Sequence, residues 1–355
     1  TDSIFLESAF FSPKIIAGKA RSYNLHTDAS MRFERGVDFE IQEIAIEMAS
    51  KLLVDITGAK CGSLINISEE CQYPKREDII LREDRLETIL GIKIDATNKQ
   101  QLMKAVKIYK PDILIHLAAV SHDGRSNQNP ELAYQNSFRT LFNSLESVKS
   151  LKKTHFIFLS SSMVYGNFKK TIVHENEKCR PIGLYGSLKL SGELLVKSFT
   201  NVFSIKHTII RPSALYGERC ISNRVIQIFL ENAFQKKRII INGNGKEKLD
   251  FTYIDDLCQG IFKIIQNTNK SANQTFNLTY GSAKSILDLK KLILNKFQKQ
   301  KFTNVKRNNL MAIRGTLSIK KAKKMINYNP KYGIANGFEK YYQWYKNFYG
   351  TERTK

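Results

Sequence analysis

No stretch of this sequence approaches the roughly 18 consecutive apolar residues that a membrane helix needs. Nor does the N-terminus carry the basic region, apolar core and cleavage site of a secretory signal. These absences leave no membrane partner to expect and make the cytoplasm the expected address. Cysteine is scarce: Cys61, Cys71, Cys179, Cys220 and Cys258 are odd in number and scattered, with no CxxC pair. A disulfide framework and a paired-thiolate metal site are therefore excluded, free thiols are expected, and no metal site is predicted. The chain also lacks an initiating Met, beginning at Thr1, which predicts a piece of a longer polypeptide. Acidic charge is the last shortage, 33 Asp/Glu against 56 Lys/Arg, for a net charge of +23.

What is present suffices for about two domains of roughly 100 to 200 residues each. The 355 residues are 42% apolar, which excludes a mostly disordered chain. Charge is unevenly spread: residues 1–95 hold 12 Lys/Arg and 17 Asp/Glu, a net of −5, and residues 96–355 hold 44 and 16, a net of +28. Asparagine shifts in step, from two residues (Asn24 and Asn66) to twenty-four from Asn98 onward. A boundary near Asp95 follows. The basic excess belongs to one side of it and reads as a composition bias helped by an anionic ligand rather than as a nucleic-acid surface.

Before the boundary, Ile41, Ile44, Ala45, Met48, Ala49, Leu52, Leu53 and Ile56 recur at three- and four-residue steps. They predict a helix with Asp38 as N-cap and Gly58 as its stop. A strand is predicted at Ile79–Leu81 and a short helix from Asp84 to Gly91. The strings Leu6-Glu7-Ser8-Ala9 and Thr27-Asp28-Ala29-Ser30-Met31-Arg32-Phe33-Glu34-Arg35-Gly36-Val37-Asp38 resemble the editing module of the bacterial phenylalanyl-tRNA synthetase β subunit. Arg82 to Gly91 resembles the opening of that subunit's next module. The resemblance implies a partial editing (B3/B4-like) module over residues 1–78 and the start of the following module over 79–94. It also implies that Glu7, Thr27 and Ala29 line a pocket that hydrolyses tyrosine mischarged onto tRNA. A carboxylate and a hydroxyl there would be left unpaired by phenylalanine, which discriminates against it. Under this reading tRNA and the synthetase α subunit are the partners. Arg32, Glu34 and Arg35 are expected to form a structural ion-pair cluster rather than a catalytic group.

After the boundary, apolar runs alternate with helical patterns, which argues an α/β fold with a parallel sheet. Ile113 to Ala119 reads as a buried strand leading to a loop, Pro130 to Ser150 as a helix, Phe156 to Leu159 as a strand, and Thr208 to Pro212 as a further strand end. A serine-rich strand end, Ser160-Ser161-Ser162, precedes a helix containing Tyr185-Gly186-Ser187-Leu188-Lys189. The four-residue step puts Tyr185 and Lys189 on one helical face, where an ammonium stabilises a phenolate. Without such a charge a tyrosine, which titrates near pH 10, is no base at neutral pH.

The strings HLAA at His116, NP at Asn129, SSSMVYG at Ser160, YGSLK at Tyr185, IIRPSALYGE at Ile209, DFTYIDDL at Asp250 and NPKYGI at Asn329 stand in the order of the extended short-chain dehydrogenase/reductase family. That family comprises the NAD-dependent sugar epimerases and dehydratases. The resemblance covers residues 95–350, leaving 351–355 as a tail, and implies a Rossmann-type sheet with a small C-terminal substrate lobe. It further implies that Ser161, Tyr185 and Lys189 are catalytic, and that Asp95, Ala118, Ala119, Asn136, Tyr185, Lys189, Pro212 and Ser213 face NAD or NADP. Ser162, Asn223, Arg224, Val225 and Arg314 would face a nucleotide-sugar, and a homodimer is the family's habit. Tyr185 as phenolate would take a proton from a sugar hydroxyl while hydride passes to the nicotinamide. Leu249 departs from the family where many relatives have an arginine, with Lys248 as a substitute charge.

A larger departure lies upstream. Dinucleotide binding relies on a strand, a Gly-rich turn and a helix N-terminus whose amides hold the pyrophosphate. The glycines before His116 are Gly18, Gly36, Gly58, Gly62 and Gly91, and none forms GxGxxG or GxxGxxG. Gly243-Asn244-Gly245 comes too late and reads as a turn. The expected fold is therefore an incomplete Rossmann-type α/β sheet lacking its first strands and Gly-rich loop, preceded by an α+β fragment. Three functions remain open: a nucleotide-sugar epimerase, dehydratase or reductase impaired in cofactor binding; a synthetase β-subunit piece; or a non-catalytic chimera.

Overall fold

The computed structural model describes residues 3–25, 27–67, 94–120 and 123–349. The predicted strand at 79–81 and helix at 84–91 lie outside these residues. The chain divides into two compact units, Thr1–Leu86 and Glu87–Lys355.

In the first unit, helices α1 (Pro13–Ile16), α2 (Lys19–Ser22), α3 (Asp28–Arg35) and α4 (Gln42–Thr57) follow one another. A reciprocal capping box starts α3: Thr27 Oγ1 accepts from the Ser30 amide at 3.1 Å, and Ser30 Oγ accepts from the Thr27 amide at 3.0 Å. Glu34 Oε1 accepts from the Gly18 amide at 3.1 Å, tying α3 to the start of α2. Edge-to-face pairs Phe11–Phe33 and Phe10–Phe39 supply the aromatic packing. The predicted long helix is α4, and Gly58 ends it in the left-handed region at φ 67°. Its N-cap is Ile41 and not Asp38. The Asp38 carboxylate instead accepts from the Glu40 amide at 3.1 Å, closing a turn just ahead of the helix. Ile44, Met48, Leu52 and Ile56 are exposed along α4.

The second unit is α/β. Its central sheet has four parallel strands, β1 (Ile113–His116), β2 (His155–Leu159), β4 (Lys206–Arg211) and β9 (Gln274–Asn277), in the order β1-β2-β4-β9. Leu114 lies opposite Phe156, Phe158 opposite Ile209, and Ile210 opposite Phe276. β3 is Ile172–Val173, and β5 to β8 are Leu215–Tyr216, Ile239–Asn242, Lys248–Leu249 and Thr252–Tyr253. β10, β11 and β12 are Lys284–Ser285, Phe302–Val305 and Thr316–Leu317; together with β3 and β5 to β8 they make four two-stranded sheets, β10-β7, β11-β6, β12-β3 and β5-β8.

Both faces of the central sheet are covered, as its near-continuous apolar strands require. On one face Leu114, Phe156, Phe158 and Ile209 pack under α5 (Lys99–Tyr109), α8 (Thr140–Val148) and α9 (Leu184–Phe203). Ile113, Ile157, Ile210 and Phe276 face α11 (Ile254–Gln266) and α14 (Lys320–Ile326). A separate core joins α10 (Val225–Phe234), α13 (Ile286–Lys296), α15 (Ile334–Tyr349) and β6, forming the small C-terminal lobe.

Among the described residues β1 is an edge strand, with Ile115 38% and Leu117 57% exposed. No strand precedes it at Asp95, and the chain leaves the sheet after His116, three residues earlier than the apolar run suggested. The predicted helix from Pro130 to Ser150 is also interrupted. It begins as α7 (Pro130–Ala133), widens to a π segment over Tyr134–Arg139 and resumes as α8. A π segment of this kind costs helix geometry and recurs where a helix serves a site.

Candidate active site

The site assembles where β2 and β4 end. Ser160 to Ser162 leave β2 in register with the end of β4: the Ser160 amide donates to the Ile210 carbonyl at 2.8 Å and the Ser162 amide to the Pro212 carbonyl at 2.9 Å. Ser161 then caps the short 3₁₀ turn Ser162–Tyr165, its Oγ accepting from the Met163 amide at 3.2 Å. The turn meets α9 closely. A Cβ on Gly186 would stand 2.8 Å from the Met163 carbonyl oxygen, and one on Gly192 would stand 2.8 Å from both Leu141 and Phe158. Glycine at these two positions lets α9 lie against the strand end.

Tyr185 and Lys189 sit buried on the first two turns of α9. The Lys189 ammonium donates to the Leu159 carbonyl at 2.6 Å and lies 4.9 Å from the Phe158 ring and 6.0 Å from the Tyr185 ring. Burial pushes its pKa down to about 8, and the Glu193 carboxylate pulls the other way. It therefore stays charged at neutral pH. His116, at the end of β1, stacks on Phe156; burial, then the Lys189 charge, lower its pKa to about 3, so it is neutral. Among the described residues neither of its ring nitrogens has a hydrogen-bond partner, nor does the buried Ser213 Oγ beyond β4.

Ala118 is exposed and Ala119 half-buried in the loop after β1, and Asn136 lies in the π segment with its Nδ2 donating to the Leu132 carbonyl at 3.1 Å. Pro212 is half-buried, whereas Ser162 is almost wholly enclosed. Asp95 is exposed at the N-terminal approach to α5, its carboxylate accepting from the Thr97 amide and hydroxyl at 2.8 Å, which hold its pKa below the ordinary value. It borders a cavity of about 460 Å³ with Thr97, Asn98, Lys99, Gln100 and Arg139. Asn223 is exposed, with Arg224 and Val225 half-buried at the start of α10. The segment carrying Arg314 is pinned beside the serine-rich turn, because the Ile313 amide donates to Asn167 Oδ1 at 2.7 Å and the Phe168 amide to the Ile313 carbonyl at 2.8 Å. Leu249 is buried and Lys248 exposed on β7, so the charge points outward there. Gly243 and Gly245 form the predicted turn. In the first unit Glu7, Thr27 and Ala29 are all exposed, and the Thr27 hydroxyl is engaged as the α3 cap.

The fit to a dinucleotide is uneven. At the end of β2 and β4 a buried hydroxyl without a partner among the described residues, a buried lysine and a buried tyrosine suit a polar ring and ribose. No Gly-rich turn precedes β1 in the sequence, and among the described residues no backbone cradle for a pyrophosphate accompanies them. The residues present do not fit the whole group. Sequence patterns missed Glu193 and Arg211, which pair beneath the site with nitrogen and oxygen 2.5 Å apart. Their signal was available: Glu193 is one turn beyond Lys189 on the same face, and Arg211 interrupts an apolar strand end, where a charge implies a buried partner.

Residues 76–279, more than half of the chain, match the NAD dependent epimerase/dehydratase family, and residues 1–58 match the B3/4 domain. The phenylalanine–tRNA ligase β subunit of Coxiella burnetii is 49% identical over 104 residues, 29% of this chain and 13% of that subunit. That of Nitrosococcus oceani is 50% identical over 94 residues, 26% of this chain and 12% of the subunit. The chain thus spans only about an eighth of the length of these curated relatives. Among solved structures, UDP-glucuronic acid 4-epimerase from Bacillus cereus, in complex with UDP-glucuronic acid and NAD, is 26% identical with a TM-score of 0.68, over 74% of this chain and 85% of that one. UDP-glucose 4-epimerase from Thermotoga maritima shares the fold at 22% identity and the same TM-score, over 72% and 84% of the two chains. The order of the parallel strands, the serine-rich turn against α9 and the family match agree: this chain belongs to the NAD dependent epimerase/dehydratase family, and carries at its N-terminus a stretch similar to the tRNA ligase β subunit.

Proposed function

We propose that residues 95–350, within the second unit, carry a nucleotide-sugar epimerase- or dehydratase-type site, served by NAD or NADP in the cytoplasm, whose dinucleotide side is impaired. The observation that supports this reading is that α9 sets the buried Tyr185 and Lys189 against the serine-rich end of β2, where Lys189 bonds the Leu159 carbonyl two residues before Ser161. Ligands of open α/β sheets bind in that crevice. Tyr185, as phenolate beside the Lys189 ammonium, takes the proton of a sugar hydroxyl, and Ser161 Oγ donates to the same oxygen. Asn223, Arg224, Val225 and Arg314 hold the nucleotide-sugar, the two arginines countering its diphosphate. These residues account for the proton and not for the hydride, which is the dinucleotide's chemistry.

The missing pyrophosphate cradle accounts for the impairment. Hydrogen bonds to a charged group contribute roughly 1.5–3 kcal/mol each, so losing several takes binding out of the micromolar range. NAD(H) fluorescence titration of the full chain is the test: no binding at millimolar cofactor is expected, and micromolar binding would overturn the impairment. Any residual turnover of a UDP-sugar panel at millimolar cofactor is expected to disappear in Tyr185→Phe, which checks the family chemistry; turnover that survives the substitution would sink it.

A second reading rests on the B3/4 match over residues 1–58. In it Glu7, Thr27 and Ala29 act on mischarged tRNA. Release of tyrosine from such a tRNA, lost in Glu7→Ala, supports it, and no release at all removes it.

A further inference from the structure

Behind Ser161, Tyr185 and Lys189 lies a second layer of buried polar groups centred on Glu193, which is 1% exposed. Glu193 Oε1 accepts from Ser160 Oγ at 2.5 Å and from Arg211 Nε at 2.8 Å, while Oε2 accepts from Arg211 Nη2 at 2.5 Å. Arg211 Nη1 donates onward to Tyr165 OH at 2.9 Å and to the Glu175 carbonyl at 3.0 Å, and Tyr165 OH donates to Asn277 Oδ1 at 2.8 Å. One carboxylate thus ties α9 to the ends of β2 and β4. Each tie falls beside a site position: Ser160 precedes Ser161, Arg211 precedes Pro212, and Glu193 follows Lys189 by one helical turn.

Stability alone does not account for this arrangement. Desolvating a buried ion pair costs several kcal/mol per ion, and apolar residues of equal volume commonly do as well or better. Placement beside the site residues points to a different use. Among the described residues the groups that bear on the Lys189 ammonium are the Tyr185 ring and, one turn on, Glu193 of its own helix, His116 of β1 through its charge coupling, and the Leu159 carbonyl and Phe158 ring of β2. Of these, Glu193 is the anion.

We propose that Glu193 is a positioning residue, whose carboxylate keeps the proton on Lys189 and at the same time fixes the Ser160-Ser161 strand end, Arg211 holding that carboxylate in place. The Arg211 bidentate grip stops Glu193 from turning toward Lys189 and forming a direct ion pair. A direct pair would withdraw the ammonium from Tyr185. Held at a distance, Glu193 offsets part of the burial penalty on Lys189 while leaving the Nζ protons for the Leu159 carbonyl and a ligand. The inference rests on the proposed reading of Tyr185 and Lys189 as the proton-handling pair.

The test is the titration of Lys189 in the full chain, followed by NMR of ¹³C,¹⁵N-lysine with the resonance assigned by its loss in Lys189→Met. Glu193→Gln keeps an oxygen to accept from Ser160 or Arg211 and removes the charge. Its Lys189 midpoint is expected to fall by about one pH unit, the size of shift a nearby charge produces, and Glu193→Asp is expected to restore most of that fall. An unchanged midpoint in folded Glu193→Gln would overturn the proposal and leave Glu193 a structural clamp. If that variant does not fold, Glu193→Gln/Arg211→Met, which removes both buried charges, is read instead: a midpoint below wild type supports the proposal, and one at or above it overturns it. Neither cofactor nor substrate enters the measurement, so its failure and a failure of the Tyr185→Phe turnover test are told apart.

Discussion

Lys189 reaches from the second turn of α9 to the last residue of β2, its ammonium donating to the Leu159 carbonyl at 2.6 Å. That bond spends one of three ammonium protons on the sheet and fixes where the remaining two can point. It also couples the helix carrying Tyr185 to the strand carrying Ser161, so the spacing of the site is set by the sheet.

The first prediction follows from the buried ammonium. Burial puts the folded pKa of Lys189 at about 8, below its ordinary 10.5. Between those values the unfolded chain binds the proton that the folded chain has lost, so this group makes stability rise with pH. Urea unfolding of wild type and Lys189→Met from pH 7.5 to 10 is expected to show wild type gaining on the variant across this window. A constant difference would contradict a buried, displaced lysine.

Asp250 behaves oppositely. It is fully buried, and its carboxylate accepts from Thr279 Oγ1 at 3.1 Å, the Gly281 amide at 3.1 Å and the Leu317 amide at 3.0 Å. Burial outweighs these bonds and raises its pKa from 3.8 to about 6. As pH falls through 6 toward 4 the folded state takes up a proton first, so this group adds stability on acidification and loses it as pH rises. The stability advantage of wild type over Asp250→Asn should therefore be larger at pH 4.5 than at pH 7 in thermal melts; a smaller advantage at pH 4.5 refutes the assignment.

Close approach of α9 supplies a packing prediction. Gly186→Ala sets a methyl 2.8 Å from the Met163 carbonyl oxygen, a backbone atom that yields only if the turn moves. A loss of about 1–3 kcal/mol is expected from such overpacking. At Gly315 the nearest atoms to an added Cβ stand 3.6 Å away, and Gly315→Ala should stay within about 0.5 kcal/mol. Denaturant midpoints for the two variants decide it, with equal losses counting against the packing account.

Among the described residues β1 stands at the edge of the sheet. An apolar edge strand without a charged residue pointing outward is a template for pairing with other chains. Ile115→Lys places a charge on the exposed position. Light scattering of concentrated protein is expected to fall while the melting temperature holds within a few degrees. Unchanged aggregation would show that the edge is not its source.

Several elements were legible because local chemistry decides them. The strands Phe156 to Leu159 and Thr208 to Arg211 are β-branched and aromatic runs that only a two-sided sheet buries, and both lie in the central sheet. The tyrosine and lysine of YGSLK share a helix face by spacing alone, and the glycine after α4 ends the helix as read. Where reading by pattern went astray, a competing local bond or a distant contact intervened. Asp38 was spent on a turn, and the helix after Pro130 widened into a π segment.

By itself the sequence determined the two-part character of the chain, the lack of a Gly-rich turn before His116 and the shared helix face of Tyr185 and Lys189, because each is a matter of residue type and short-range spacing. Only the tertiary structure decided that β1 stands at an edge among the described residues, that Lys189 bonds the Leu159 carbonyl, and that Glu193 and Arg211 meet beneath the site. The physical reason is sequence separation. Glu193 and Arg211 stand on different elements, and Arg211 reaches Tyr165 on the 3₁₀ turn and Glu175 in the loop after β3. Nothing short of the packed sheet brings those charges together or sets the burial that shifts the lysine between them and the tyrosine.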